Sequence, residues 1–140
     1  MIKIKFLSVG KTKEVWLEEG IEEYIKRLSA SVSFEFVWFK DESLLESAIR
    51  KEKQTILLDP HGKAMDSLDF TDFLFQEIEK GGSRLVFAIG GPAGFSEEIK
   101  KTAALISLSK MTFTHQMTRL ILMEQIFRAF EIRKGTGYHK

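Results

Sequence analysis

Apolar and charged positions alternate strictly in the opening residues, Ile2-Lys3-Ile4-Lys5-Phe6. That period predicts a β-strand with one solvated face. The spacing then changes. Between residues 13 and 28, Val15, Trp16, Leu17, Ile21, Tyr24, Ile25 and Leu28 recur at helical intervals with acids among them, which predicts an amphipathic helix. Ser31 to Phe39 returns to alternation, with Val32, Phe34, Phe36 and Trp38 on one face of a second strand. A short charged helix is expected over 42–53. Gln54 to Asp59 is apolar on both faces and so reads as a central, parallel strand.

Pro60-His61-Gly62-Lys63 has the composition of a turn. Asp66 to Lys80 follows as a helix with Leu68, Phe70, Phe73, Leu74 and Ile78 inward, closed by Gly81-Gly82. Arg84 to Ile89 is a fourth strand, broken by Gly90-Gly91-Pro92-Ala93-Gly94. Ser96 has the character of an N-cap before Glu97 and Glu98. Ala104 to Leu108 is a fifth strand and Ser109 to Gln116 a polar loop. The longest helix is expected over 117–133, ahead of a tail from Lys134 to Lys140. Strands alternating with helices predict an α/β fold, a mostly parallel sheet with helices on both faces.

The last predicted helix carries two apolar stripes, Leu120, Met123, Phe127 and Phe130 on one and Leu122, Ile126 and Ala129 on the other. A helix apolar over so much of its girth needs two partners. One is the sheet. The other is either the chain's own interior or the same helix of a second subunit, since homodimers use self-complementary patches.

Composition narrows the class. The chain has 140 residues, 44% hydrophobic and 29% charged, which suits a single globular domain over residues 1–140. It has no cysteine and only three histidines, His61, His115 and His139. Disulfides, thiolate metal sites and a cysteine nucleophile are thereby excluded, and no metal is expected. The opening segment reads as a strand and not an export signal, and no apolar run reaches the ~18 residues of a membrane span. The expected setting is the cytoplasm, without membrane attachment. The net charge of +1 hides an asymmetry, because residues 110–140 carry six Lys/Arg against two acids. A basic end on an acidic body suggests an anionic partner there.

In open α/β sheets, ligands bind beyond the carboxyl ends of the strands. Three segments follow central strands here: Leu58 to Lys63, the glycine loop 90–94, and Ser109 to Gln116. A common cleft built from all three is the natural pocket. The glycine loop matches neither phosphate-binding fingerprint and, taken alone, also reads as a tight turn into a helix. Asp59 reads first as a carboxylate capping the following turn. His61 reads as exposed. His115, in the polar loop near Arg119, is a candidate for proton transfer. The terminal Tyr138-His139-Lys140 is unusual for a frayed end: a tyrosine can stack on a base, a histidine can carry a proton and a lysine can meet a phosphate.

The C-terminal third, SLSKMTFTHQMTRLILMEQIFRAFEIRKGTGYHK, resembles the C-terminal signature of the RlmH family, within the SPOUT class of RNA methyltransferases. ILLDPHGK and FAIGGPAG match that family's other motifs in the same order, and IKFLSVGKTK fits its opening. The resemblance implies transfer of a methyl group from S-adenosylmethionine, leaving S-adenosylhomocysteine, to N3 of a pseudouridine in large-subunit ribosomal RNA. It implies the assembled ribosome as substrate, a homodimer as the working form, and an α/β knot whose C-terminal part is a trefoil. Carried over by motif, cofactor contacts fall on Leu58, Gly90, Leu108, Ser109, Lys110, Met111, Thr112 and Phe113. The resemblance also suggests catalytic roles. His139 and His115 are the available bases for the N3 proton, Arg128 could stabilise charge on the ring oxygens, and Tyr138 could stack on the flipped base. The chain departs from the family pattern at Thr114, where a proline is expected, and at Gly137, where proline or alanine is common. Both loosen the segments that hold the site. Two other classes remain open: a ribosome-binding factor that keeps the pocket without the chemistry, and a nucleotide-binding enzyme with a small substrate.

Overall fold

The computed structural model describes residues 1–140. In chain order the elements are β1 (Ile2–Val9), α1 (Val15–Arg27), β2 (Val32–Phe39), α2 (Glu42–Lys51), β3 (Ile56–Ala64), α3 (Ser67–Lys80), β4 (Arg84–Ile89), α4 (Glu97–Lys100), β5 (Ala104–Ser107) and α5 (His115–Lys134). The five strands form one sheet in the order β2-β1-β4-β3-β5. Every pairing is parallel. This is the doubly covered α/β architecture that the alternation of elements predicts.

Successive strand residues point to opposite faces, and the core divides accordingly. Ile4 and Phe6, Ile56, and Phe87 and Ile89 face α1, α3 and α5 in the larger cluster. Leu7, Leu57 and Ala88 face α2 and α4 in the smaller one, with Leu45, Ile49 and Ile99. Side-chain caps set four helix starts. Asp41, Asp66, Ser96 and Thr114 accept from the backbone N–H groups of Leu44, Asp69, Ile99 and Met117, satisfying donors that a helix leaves free. α5 ends on Gly135 at φ 70°, a left-handed conformation open to glycine without strain.

The fold departs from the sequence pattern in five places. β1 is covered on both sides in its second half, where Phe6, Leu7 and Ser8 are buried, because Phe6 packs into the larger cluster on one face and Leu7 into the smaller, α2-side cluster on the other. Pro60 to Lys63 is no turn. β3 runs through it to Ala64, and after a register shift Lys63 and Ala64 pair with Ile106 and Ser107 of β5. Val15, Trp16 and Leu68 are exposed, at the first turns of α1 and α3. His115 opens α5 and is not a loop residue, because Thr114 caps the helix, which starts two residues earlier than the polar composition suggests.

The fifth concerns α5. Both of its stripes are buried within one chain: Leu122, Met123, Ile126, Phe127, Ala129 and Phe130 all belong to the larger core. The sheet takes one side, and α1 and α3, which pack directly on α5, take the other. Burial of the second stripe therefore needs no second subunit. The basic C-terminal end is also less basic at the surface than its composition indicates. Arg119 is fully buried, and Arg128 is paired with Glu124 at 2.9 Å.

Candidate functional site

Three segments at the carboxyl edge of the sheet meet around one cleft, of about 730 Å³ counting the part open to solvent. Its walls come from Leu58, Asp59 and Pro60 of β3, from Ile89 and the glycine loop, and from Leu108 to Thr118 at the β5–α5 junction. Of the eight residues expected to contact a cofactor, Leu58, Gly90, Leu108, Ser109, Met111, Thr112 and Phe113 line this cleft. Lys110 does not, and its side chain is exposed.

The chain fixes each wall by a different device. Asp59 is buried, accepts from the His61 N–H at 2.8 Å and meets Lys100 at 3.3 Å, so it is a structural carboxylate. Its presence holds the Lys100 ammonium above its ordinary pKa. His61 is exposed and does not line the cleft. The glycine loop turns tightly, with the Gly94 N–H donating to Gly91 O at 2.9 Å. Buried Glu46 of α2 anchors its far end, accepting from the Ser96 N–H at 2.8 Å and from Ser96 Oγ at 2.7 Å. Ser109 Oγ accepts from the Met111 N–H at 3.0 Å and shapes the third wall.

An adenosyl group with an amino-acid arm needs apolar walls for its faces and backbone polar groups for its edges. Leu58, Leu108, Met111 and Phe113 supply the first, and the glycine loop and the 108–113 segment supply the second. A Cβ on Gly90 would sit 3.3 Å from the Gly94 backbone, a tight contact, and with glycine there the wall is bare backbone. Both features fit such a ligand.

His115 lines the cleft beside Gly10. Burial, reinforced by the Arg119 and Lys13 cations, lowers its pKa below the ordinary histidine value. Its imidazole is therefore neutral at pH 7 and can accept a proton. Arg119 runs the other way from α5 and is fully buried. Its guanidinium donates to Ser8 Oγ at 2.8 Å, Gly10 O at 3.2 Å and Thr12 Oγ1 at 3.0 Å, and it stacks on Trp38 at 4.6 Å. Burial pushes its pKa down to about 10, still charged at neutral pH.

The remaining candidates form a second cluster. The tail folds back on α5, and Tyr138 rests edge-on against Phe127 at 4.9 Å between ring centres. Tyr138 OH donates to Glu124 Oε2 at 2.9 Å, and the Arg128 guanidinium lies 4.9 Å over the Tyr138 ring. Arg128 Nη1 stands 3.1 Å from His139 Nδ1. A guanidinium only donates, so His139 Nδ1 is the acceptor in this contact. Burial and the Glu124 bond raise the Tyr138 pKa to about 12, so the phenol stays protonated and is a donor, not a base.

Glu124 organises this cluster and escapes the sequence argument, although Glu124 and Arg128 stand four apart on one helix and that spacing marks a pair. It is itself held by Gln125, which donates to Glu124 Oε1 at 3.0 Å and accepts from Ser67 Oγ at 2.7 Å. The structure thus joins Arg128, Tyr138 and His139, and separately places His115 on the wall of the cleft. At 1.5 Å rise per residue, Glu124 and Arg128 lie about 9 and 15 Å along α5 from Thr118 on the cleft wall.

No helix is long and apolar enough to cross a membrane, and no group of three or more His, Asp or Glu is placed to hold a metal ion.

The comparisons with known proteins agree with this geometry. A family described as predicted SPOUT methyltransferase matches residues 2–139. The chain is 51% identical to ribosomal RNA large subunit methyltransferase H of Protochlamydia amoebophila (strain UWE25), over the full length of both. It is 40% identical to the protein of the same name from Flavobacterium psychrophilum, over 99% of each. Among solved structures, a probable methylase family protein from Haemophilus influenzae Rd KW20 shares the fold at a TM-score of 0.62. The sequence identity is 8%, over 98% of this chain and 70% of that one.

Proposed function

The chain belongs to the SPOUT methyltransferase family, and from that premise we propose that it methylates N3 of a pseudouridine in large-subunit ribosomal RNA on the assembled ribosome, with S-adenosylmethionine as donor. The observation that carries the proposal is the convergence of seven expected cofactor contacts on one cleft, with a neutral histidine on its wall. The names of the full-length relatives support ribosomal RNA as the substrate.

When bound, S-adenosylmethionine supplies a methyl group already made electrophilic by its sulfonium. The chain's part is therefore alignment, exclusion of water and management of one proton. The apolar walls at Leu58, Leu108 and Met111 exclude water around the donor. N3 of a uracil-type base carries a proton that must leave as the nitrogen attacks. His115 is neutral and on the cleft wall, so we assign it that proton. Arg128 is assigned the negative charge that develops on the ring oxygens. Tyr138 is assigned the stacking contact, and His139 the contact that fixes the tail against Arg128.

Arg128, Tyr138 and His139 stand about a helix's middle turns away from the cleft of their own chain. A homodimer in which one copy's tail faces the other's cleft resolves that separation, and the trefoil knot implied by the family is part of the same proposal.

The test is methyl transfer itself. Purified protein, labelled S-adenosylmethionine and ribosomes lacking the mark are incubated, and the RNA is digested for mass spectrometry. One methylated pseudouridine in large-subunit RNA is expected. Donor binding without any methylated nucleoside would leave a non-catalytic ribosome-binding factor as the reading.

A further inference from the structure

The loops around the cleft carry charges that do not cancel. On the glycine-loop side, Glu97 meets Lys100 at 3.5 Å and Glu98 meets Arg50 at 3.7 Å. Asp59 is tied to Lys100, and Asp66 is occupied as the cap of α3. The lysines on the same rim have no such partners. Lys11 and Lys13 in the β1–α1 loop, Lys63 on the β3 extension and Lys110 after β5 are all exposed and make no ion pair. Glu14 and Glu42 are the carboxylates of this rim left without a cation, and Glu42 Oε1 lies against Gly91 of the glycine loop, so the four lysines outnumber the two free acids.

The sheet order gives these lysines a geometry. β4, with its glycine loop, lies between β1 and β3, and β5 lies beyond β3. Lys11 and Lys13 therefore stand on one flank of the cleft, and Lys63 and Lys110 on the other. β1 and β5 are three strand spacings apart, about 14 Å at ~4.8 Å each. The first flank is also built rigidly against the cleft. The Lys13 N–H donates to Gln116 Oε1 at 2.9 Å, and Gly10 packs beside His115.

Behind that flank sits Arg119. A buried guanidinium is costly to retain unless hydrogen bonds and an opposing charge meet it. Its Nη atoms are bonded to the loop, but no carboxylate faces it and its Nε has no partner. The β1–α1 loop is thus clamped from below by a cation whose charge nothing in the chain neutralises.

We propose that Lys11 and Lys13 on one flank and Lys63 on the other form a docking surface for the phosphodiester backbone of the RNA strand that carries the target base. The phosphates cross the cleft mouth and bring that base over it. The inference rests on the ribosomal RNA reading above and adds where the strand lies. Phosphate contacts fix register and orientation without reading sequence, and such a surface makes association salt-dependent.

The test compares two variants of equal charge, Lys11→Ala/Lys13→Ala/Lys63→Ala on the rim and Lys3→Ala/Lys51→Ala/Lys53→Ala at the amino edge of the sheet. Methyl transfer to ribosomes is measured against ribosome concentration at several salt concentrations. S-adenosylmethionine affinity is measured by calorimetry. For the rim variant, KM for ribosomes is expected to rise about tenfold, and the salt slope to fall by about two at ~0.7 per single-strand phosphate. Its donor affinity is expected to stay at the wild-type value. The amino-edge variant is expected to match wild type throughout. A rim variant indistinguishable from the amino-edge variant overturns the docking surface alone. Wild-type protein that transfers no methyl group overturns the functional reading on which the surface rests.

Discussion

Deleting Tyr138, His139 and Lys140 is expected to lower methyl transfer to ribosomes by about 100-fold or more, while S-adenosylmethionine affinity stays unchanged. The size follows from losing the groups that align the acceptor, since orientation at the reacting atoms is worth factors of this order. The tail's own contacts explain the split between the two measurements. Tyr138 and His139 bond to Glu124 and Arg128 on α5, and none of these residues lines the cleft at the carboxyl edge of the sheet. Tyr138 touches the core only at its margin, edge-on against Phe127, so the fold loses little. Single-turnover rates with labelled donor and a calorimetric titration check both halves. Equal losses in rate and donor affinity would mean that the tail is part of the donor pocket instead.

The second large effect is expected at Gly62. A Cβ placed there would lie 2.7 Å from Ile106 N, 2.7 Å from Leu105 C and 2.8 Å from Ile106 C. These are backbone atoms of β5 and cannot swing aside as a side chain can. Gly62→Ala must therefore part the β3 extension from β5. Forced overpacking costs about 1–3 kcal/mol, which lowers Tm by several degrees in a domain of this size. The functional loss is larger than the stability loss, because Leu58 to Pro60 stand on one side of the clash and Leu108 and Ser109 on the other, all of them walls of the cleft. Donor affinity is expected to fall at least tenfold in protein that remains folded by circular dichroism. Unchanged affinity would mean that the cleft is not the donor site.

The same glycine shows where the sequence stops being legible. Pro60-His61-Gly62-Lys63 has turn chemistry in every residue, and local rules read it as a turn. What makes it strand is a partner forty residues on, reached only after the register shift that pairs Lys63 with Ile106. Periodicity, by contrast, matches β4 at Arg84–Ile89, its full extent in the structure, and marks β3 as an interior strand of a parallel sheet, which it is, between β4 and β5. Those are properties of the strands' own side chains. His115 was within reach, because Thr114 is a good N-cap residue, but a run of polar residues masks a helix that begins on its own cap.

The candidate site divides along the same line. The convergence of three strand-end segments follows from a general rule of α/β sheets and was readable in advance. The distance between the cleft and the terminal cluster was not, because it depends on which way α5 runs from the cleft wall. Nor was the state of Arg119 visible. Counted along the chain it adds to a basic end, yet in the fold it is buried and faces the β1–α1 loop. The two stripes on α5 signalled a helix covered on both sides but not by what, and the answer, α1 and α3 of the same chain, lies in tertiary packing.

The central claim is that one copy's cleft and another copy's tail make a single catalytic site, and mixed dimers test it most directly. Gly62→Ala disables the cleft and leaves the tail intact. Deletion of residues 138–140 does the converse. Two differently tagged variants, co-expressed and purified as the mixed species, place one intact cleft opposite one intact tail across a two-fold interface. Methyl transfer well above that of either homodimeric variant is the predicted result. A mixed dimer as inactive as its two parents would place cleft and tail in the same chain and contradict the claim.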